Sequence, residues 1–238
     1  MYVLSVIFPC YNESSNIVGI ISSIKSALQG RNDVELILVD NGSTDSTPKV
    51  LKQALQGEHN KQFKTLRIKK NIGYGHGIME GVRVASGDVI AWTHADLQTD
   101  PADVLEAYKI FVEHLEYPNC ILKGRRLGRN PLDALFTGGM SIISTLLLRK
   151  QLSDVNAQPK MFHRDFVEKL TESPTDFSLD LYILFQARLN NFPILEYPVK
   201  FRKRFHGEPK GGGSLKGKWK LIRRTLSYML KLKYKLGR

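Results

Sequence analysis

Cysteine is nearly absent. Two residues, Cys10 and Cys120, sit in separate apolar runs of the 238-residue chain, which fits core filler in a reduced, cytosolic setting. Long hydrophobic stretches are missing as well. The longest uncharged run, Ala134 to Leu148, is too short to span a bilayer and is left to lie in an interface or to pack inside the domain. The opening residues, MYVLSVIFPC, lack the basic leader of a signal peptide and meet Pro9 too soon. Without secretion, the Asn-x-Ser sequons at Asn12 and Asn41 carry no meaning. No glycine-rich turn follows the first apolar run, which ends in Pro9-Cys10-Tyr11; that counts against a dinucleotide-binding dehydrogenase. No internal repeat or low-complexity segment precedes the C-terminal tail, and in that tail acidic residues all but vanish. Lys200 to Arg238 hold fourteen Lys/Arg against Glu208 alone, whereas the preceding 199 residues hold 21 basic and 22 acidic side chains. The net charge of +12 is that of a basic tail on a neutral domain.

With 42% hydrophobic residues, the chain can bury one sizeable core. Leu4 to Phe8 reads as a first buried strand, stopped by Pro9. Apolar residues at Ile17, Ile20, Ile21, Ile24 and Leu28 have the spacing of a helix over Asn16 to Leu28. Val34 to Val39 is a second strand running into Asp40-Asn41-Gly42-Ser43. Thr44 to Leu55 follows as a helix, with Ser46 or Thr47 as cap and Pro48 near its first turn. Phe63 to Ile68 is a third strand, His76 to Ala85 a third helix and Val89 to Trp92 a fourth strand. Strands apolar throughout, alternating with helices, predict a parallel sheet covered on both faces.

The fourth strand runs out into His94, Asp96 and Gln98, polar side chains at alternate positions, before Asp100 and Pro101 start a helix. Alternation along an extended segment points the three the same way. At the carboxyl end of such a strand that direction is the ligand crevice. A carboxylate with adjacent nitrogen and oxygen donors suits a divalent cation that neutralises phosphate. The plainer reading is a polar loop with Asp100 as helix N-cap.

Three loops thus leave three strands at one sheet edge, and their residues resemble the family 2 glycosyltransferases of GT-A fold, specifically the dolichyl- and polyprenyl-phosphate sugar synthases. Phe8-Pro9-Cys10-Tyr11-Asn12-Glu13 matches the family's first loop, and Val39 to Asp45 its second. Asn71-Ile72-Gly73-Tyr74-Gly75, followed by Gly81, Ala85, Gly87 and Asp88, is similar to its central stretch. Asp96-Leu97-Gln98 with Asp100-Pro101 closes that set. Gly124-Arg125-Arg126, the run from Asp154 to Lys160, and Glu196-Tyr197-Pro198-Val199 are similar to its acceptor-side segments. The resemblance covers residues 3 to 210.

The resemblance implies an α/β fold of GT-A, Rossmann-like type over residues 1–206: a mostly parallel sheet flanked by helices. A Gly-rich hinge and a basic amphipathic tail occupy 207–238. Pro9, Tyr11, Glu13, Asp40, Asn71, Gly73, His94 and Ala95 fall where the family holds its nucleotide-sugar. The Asp40 carboxylate can accept a base imino N–H or a ribose hydroxyl, Tyr11 can lie against the ring, and Pro9 shapes the loop. Asp96, Gln98 and His94 fall on the metal loop. Two departures matter here: the family's usual Asp-x-Asp is His94-Ala95-Asp96, and its usual Asp-Asp is Asp40-Asn41. Imidazole suits Mn2+ better than Mg2+, so either Mn2+ is favoured or His94 contacts the donor. Arg125, Arg126 and Arg129 follow the strand-like Cys120 to Leu122, as a phosphate clamp would. Gln158, Lys160, Arg202 and Arg204 are further acceptor or phosphate contacts. Arg126 joins Asp96 and Asp180 as the catalytic set. An acceptor that is already a phosphate anion needs no base. A hydroxyl acceptor does, and Asp180 is its candidate, unless it is simply a surface Asp at a helix start.

Five glycines between Gly207 and Gly217 make a hinge or a loop that orders over ligand. Beyond them, Trp219, Ile222, Leu226, Met229 and Leu230 recur at near-helical spacing among basic residues. Such a helix fits the plane of an anionic membrane surface. Packing on its own domain or on a partner subunit is the alternative, and no nucleic-acid fold accompanies the charge. The resulting expectation is an inverting, metal-dependent glycosyltransferase that uses a UDP- or GDP-linked sugar and a polyprenyl- or dolichyl-phosphate-type lipid. It would sit peripherally on the cytosolic face of a membrane, with room for a membrane-protein partner. Its rivals are transfer to a saccharide hydroxyl in glycan synthesis, and a catalytically silent nucleotide-sugar-binding module in a membrane complex.

Overall fold

Long apolar runs become strands in the order the pattern predicts. A computed structural model describes residues 2–56, 62–128, 131–202, 204 and 215–236. Strands β1 (Leu4–Cys10), β2 (Val34–Asn41), β3 (Phe63–Ile68) and β4 (Val89–Trp92) pair in parallel, in the spatial order β3-β2-β1-β4. Helices α1 (Ile17–Leu28), α2 (Thr47–Ala54) and α3 (Tyr74–Val84) connect them. With β2 on one side of β1 and β4 on the other, β1 and β4 form the switch point at which an open α/β sheet leaves a crevice. Helix α2 starts later than its periodicity predicts, because side chains hold its first amides outside the helix. Asn12 Oδ1 accepts from Thr44 N at 2.8 Å and Asp45 Oδ1 from Thr47 N at 2.9 Å.

The second half departs from the parallel pattern. It contains α4 (Asp103–Val112), β5 (Ile121–Leu127), α5 (Pro131–Leu148), β6 (Lys160–His163), a 3₁₀ turn (Arg164–Lys169), α6 (Leu179–Leu189), β7 (Ile194–Lys200) and α7 (Leu215–Leu236). Strand β6 lies antiparallel between β4 and β5, and β7 adds parallel to β5. A four-residue strand is too short to show a period, so β6 hides in a stretch that reads as a polar loop. Because it runs backward, its amino end reaches the same sheet edge as the carboxyl ends of its neighbours: Lys160 pairs with Trp92 and with Lys123.

Alternation along the strands divides the core between two sheet faces. Leu4, Val6, Phe8 and Leu36 pack with Ile20 and Ile24 of α1 and Phe111 of α4. Ile7, Ile37, Ile90 and Trp92 pack with Ile78 of α3 and Ile183 of α6. Helix α7 joins this second cluster rather than standing apart. Its Met229 and Leu232 are buried there, with Leu226 and Tyr228 packed alongside, and it lies against α5. The apolar face expected for the tail is therefore split. Met229 turns inward, while Trp219 and Leu230 stay 71% and 56% exposed. Helix α5 is divided in the same way, with Leu148 buried and Ile142 and Leu146 exposed. No helix among the described residues is long and apolar enough to cross a membrane. Of the expected hinge, 207–214 lie outside the described residues, as does Arg129, and 215–217 are already helical.

Candidate active site

Loops from β1, β2 and β4 meet at one edge, held together by their own side chains. Asn12, at φ 53°, donates its backbone N–H to Ser43 Oγ at 3.0 Å, and Glu13 N donates to Thr47 Oγ1 at 2.9 Å. Pro9, still within β1, sits opposite Val39, and the half-buried Tyr11 follows the strand. Asp40, next to last in β2, is almost fully buried. Its Oδ1 accepts from Ser43 N at 2.9 Å, whereas Oδ2 has no hydrogen-bond partner and lies 3.6 Å from Arg67 Nε. Asn41 donates Nδ2 to Gly73 O at 3.0 Å and leaves its buried Oδ1 unpartnered. The glycine-rich turn is a matter of close approach. A Cβ on Gly42 would lie 2.4 Å from Asn71 N, and one on Gly73 or Gly75 would lie 2.3 Å from the carbonyl of Thr175 or Pro174. Asn71 and His94 make no side-chain hydrogen bond among the described residues, and Ala95 is buried.

Asp96, 7% exposed, accepts from Gln98 N at 3.1 Å on Oδ1 and from Arg204 Nη2 at 2.6 Å on Oδ2. Between Asp96 and Gln98, Leu97 takes φ 56°, which costs a non-glycine residue about 1–2 kcal/mol. That turn ends the extended run, so His94, Asp96 and Gln98 do not continue one alternating face. Gln98 is engaged elsewhere: its carbonyl accepts Arg202 N at 2.7 Å and its side-chain amide donates to Arg202 O at 3.3 Å. The strap after β7 thus lies across this loop, with Arg204 also 3.9 Å from Glu13. No group of three His, Cys, Asp or Glu side chains among the described residues is placed to hold a metal. Asp96 nonetheless accommodates a positive charge, since the Arg204 guanidinium already stands against it.

Across the crevice, β5, β6 and α6 carry a second polar cluster. Arg126 donates its backbone N to Asp154 Oδ2 at 3.0 Å and Nε to Oδ1 at 2.9 Å, with Nη2 completing the fork. Burial acts to raise the Asp154 carboxyl, but the Arg126 hydrogen bonds and charge hold it below its ordinary range. Arg125 is half exposed, 3.7 Å from Glu196, which also pairs with the buried Lys123 at 2.8 Å. Lys160 is fully buried. Its Nζ donates to Val155 O and Ala157 O at 2.6 and 2.7 Å and lies 3.6 Å from Asp180. Burial lowers its ammonium to about 8 against the pull of Asp180. For Lys160 to bind an acceptor, these partners would have to be given up. Asp180 is no surface residue: it is 1% exposed and accepts Gln158 Nε2 at 3.0 and 3.2 Å. Gln158 also donates to the Tyr74 hydroxyl at 3.1 Å, and the Tyr74 ring stacks on Phe177. Only the flanking glycines of Tyr74 signal its place in the sequence. Phe177 lies too far along the chain for any local pattern to reveal the pair.

A sequence profile of glycosyl transferase family 2 matches residues 5–171. The chain is 30% identical over 222 residues to a dolichol-phosphate mannosyltransferase of Pyrococcus furiosus, an alignment covering 90% of this chain and 60% of that protein. It is 36% identical over 102 residues to an undecaprenyl-phosphate 4-deoxy-4-formamido-L-arabinose transferase of Proteus mirabilis, covering 42% and 31%. The chain spans 60% or less of the length of both relatives. Among solved structures, glucosyl-3-phosphoglycerate synthase from Mycobacterium tuberculosis with Mn2+, UDP and glucosyl-3-phosphoglycerate shares the fold. The TM-score is 0.73 at 17% identity, over 97% of this chain and 79% of that one. The same enzyme with Mg2+ and UDP gives 0.73 at 18% identity, over 97% and 79%.

Proposed function

The chain belongs to glycosyl transferase family 2, and on that premise we propose that it is an inverting glycosyltransferase of GT-A-like fold, moving a sugar from a UDP- or GDP-linked donor to a polyprenyl-phosphate-type lipid. The unpartnered Oδ2 of Asp40 accepts an N–H of the base or a ribose hydroxyl. Asp96 would hold a divalent cation, and His94, two residues before it on the same loop, would be the second candidate ligand. The guanidinium on Asp96 supports that fit, and the imidazole favours Mn2+. When bound, the cation neutralises the departing nucleoside diphosphate. Arg204 gives up Asp96 as the donor enters and turns its fork to phosphate. Arg126, tied to Asp154, shapes the wall against which Arg125 and Arg202 receive the acceptor.

One observation carries the choice of acceptor. Each carboxylate described on the acceptor wall is already held by a cation or an amide: Asp154 by Arg126, Glu196 by Lys123, and Asp180 by Gln158 and Lys160. A hydroxyl acceptor needs a base to take its proton. A lipid phosphate arrives as an anion, attacks the anomeric carbon opposite the leaving nucleotide, and needs none. The relatives named for dolichol- and undecaprenyl-phosphate transfer support the same reading. The exposed Trp219 and Leu230, among the lysines of α7, would then rest on an anionic membrane surface at its cytosolic face.

The test is nucleoside diphosphate release from a panel of UDP- and GDP-sugars with Mn2+, with and without polyprenyl phosphate. Release stimulated by the lipid, and lowered ~100-fold or more by Asp96→Ala, is the expected outcome. Release driven by a saccharide and indifferent to the lipid would overturn the acceptor. Nucleotide binding with no release under any condition would overturn catalysis.

A further inference from the structure

Arg204 stands where a metal ion would. Its Nη2 lies 2.6 Å from Asp96 Oδ2 and its Nη1 3.9 Å from Glu13 Oε1, so one guanidinium faces carboxylates from two loops. The other Asp96 oxygen is taken by the amide of Gln98 at 3.1 Å. The Arg204 and Asp96 side chains keep 15% and 10% of their exposure, so ions in solution reach the pair. Backbone on either side of the loop fixes the guanidinium in this position. Phe201 N donates to Leu127 O at 3.0 Å, and Arg202 N donates to Gln98 O at 2.7 Å. The Phe201 ring also lies 5.5 Å from the Arg126 guanidinium. A cation tethered this closely acts at high effective concentration, and a second positive charge at the same oxygen is repelled. Among the described residues, no third carboxylate, imidazole or thiol joins Asp96 and Glu13 to favour a metal over the arginine.

We infer that Arg204 is a resident cation that keeps divalent metal off Asp96 while the donor site is empty. The diphosphate of an entering nucleotide offers the guanidinium a bidentate partner and draws it away; only then is the carboxylate open. The inference rests on the proposed donor and metal site and adds an order of entry to it. Asp96 accepts metal with or after the nucleotide, never before it, and Arg204 reclaims the carboxylate when the product nucleotide departs.

Calorimetric titration of the nucleotide-free whole chain with MnCl2 tests this, on wild type, on Arg204→Gln, and on Arg204→Gln combined with Asp96→Asn. Arg204→Gln is expected to bind Mn2+ at least ~10-fold more tightly than wild type, the worth of one hydrogen bond between charged groups. Adding Asp96→Asn is expected to erase that gain. No gain, or a gain that survives Asp96→Asn, overturns the inference and leaves glycosyl transfer standing. A second arm needs no variant and decides the matter if Arg204→Gln fails to fold. Wild-type crystals are soaked in Mn2+ alone, and in Mn2+ with UDP or GDP, and the anomalous signal of manganese is mapped. The expected result is no peak at Asp96 with Mn2+ alone, and a peak there with nucleotide, Arg204 having moved off the carboxylate. A peak at Asp96 with Mn2+ alone, or a peak beside an Arg204 that has not moved, overturns the inference. No peak at Asp96 under any condition overturns the proposed metal site, and the inference falls with it.

Discussion

Asp103, in the first turn of α4, carries a titration that stability measurements can read. Burial and the neighbouring Asp100 raise its carboxyl from 3.8 to about 6, against the pull of Arg202. The fold therefore holds this proton more tightly than the unfolded chain does. The stabilisation is complete below about pH 3.8 and is lost as pH rises through about 6. Asp103→Asn is neutral throughout, so it is expected to exceed wild type in stability by about 1 kcal/mol at pH 7, after discounting for exposure, and to match it at pH 4. Melting at the two pH values checks this. Lys160 runs in the opposite direction. Its folded value of about 8 lies below the ordinary 10.5, so the unfolded chain binds the extra proton between the two and stability rises with pH across that window. Unfolding of Lys160→Met from pH 8 to 9.5 should lack the rise that wild type shows.

At the scale of elements, one substitution is expected to act with opposite signs in two helices. In α3, the Cβ of Gly75→Ala meets Pro174 O at 2.3 Å and Asp176 O at 2.7 Å. Pushing that loop away should cost about 1–3 kcal/mol. In α5, the added Cβ of Gly138→Ala meets nothing within 4 Å, so it should stabilise by about 0.5–1 kcal/mol. Urea unfolding of both variants settles the signs. The same contrast explains what the sequence made legible. Strands β1, β2 and β4 are buried on both faces, and their unbroken apolar runs announced them. The late start of α2 depends on a side chain from another loop, and β6 is too short for any pattern. Asp40 and Asp96 were readable because they sit near the ends of buried strands or follow them directly. The Arg204–Asp96 pair joins residues 108 positions apart, and the Tyr74–Phe177 stack is just as non-local. Leu97 could not be foreseen at all, since nothing about leucine announces a left-handed backbone.

For the molecule as a whole, α7 faces two ways. Met229 and Leu232 anchor it to the core, while Trp219 and Leu230 remain exposed. Replacing both exposed residues, Trp219→Ser with Leu230→Ser, should leave the unfolding midpoint unchanged. It should lower sedimentation with anionic phosphatidylglycerol vesicles by ~10-fold or more, given the apolar area each residue can bury. Chains ending before Leu215 should instead unfold more easily, because the second core loses two buried side chains. A different consequence follows from the strand order. Every residue between Leu4 and Trp92 that enters the sheet lies in its β3-β2-β1-β4 half, and every residue between Ile121 and Lys200 lies in the other. Apart from Arg204, which reaches back to Asp96 from beyond β7, the wall proposed for the nucleotide thus precedes the wall proposed for the acceptor, and a crossover in the segment between α4 and β5 would divide them. Recombination at that one junction could pair an old donor with a new acceptor, so a lineage built on this topology can diversify its products by exchanging halves.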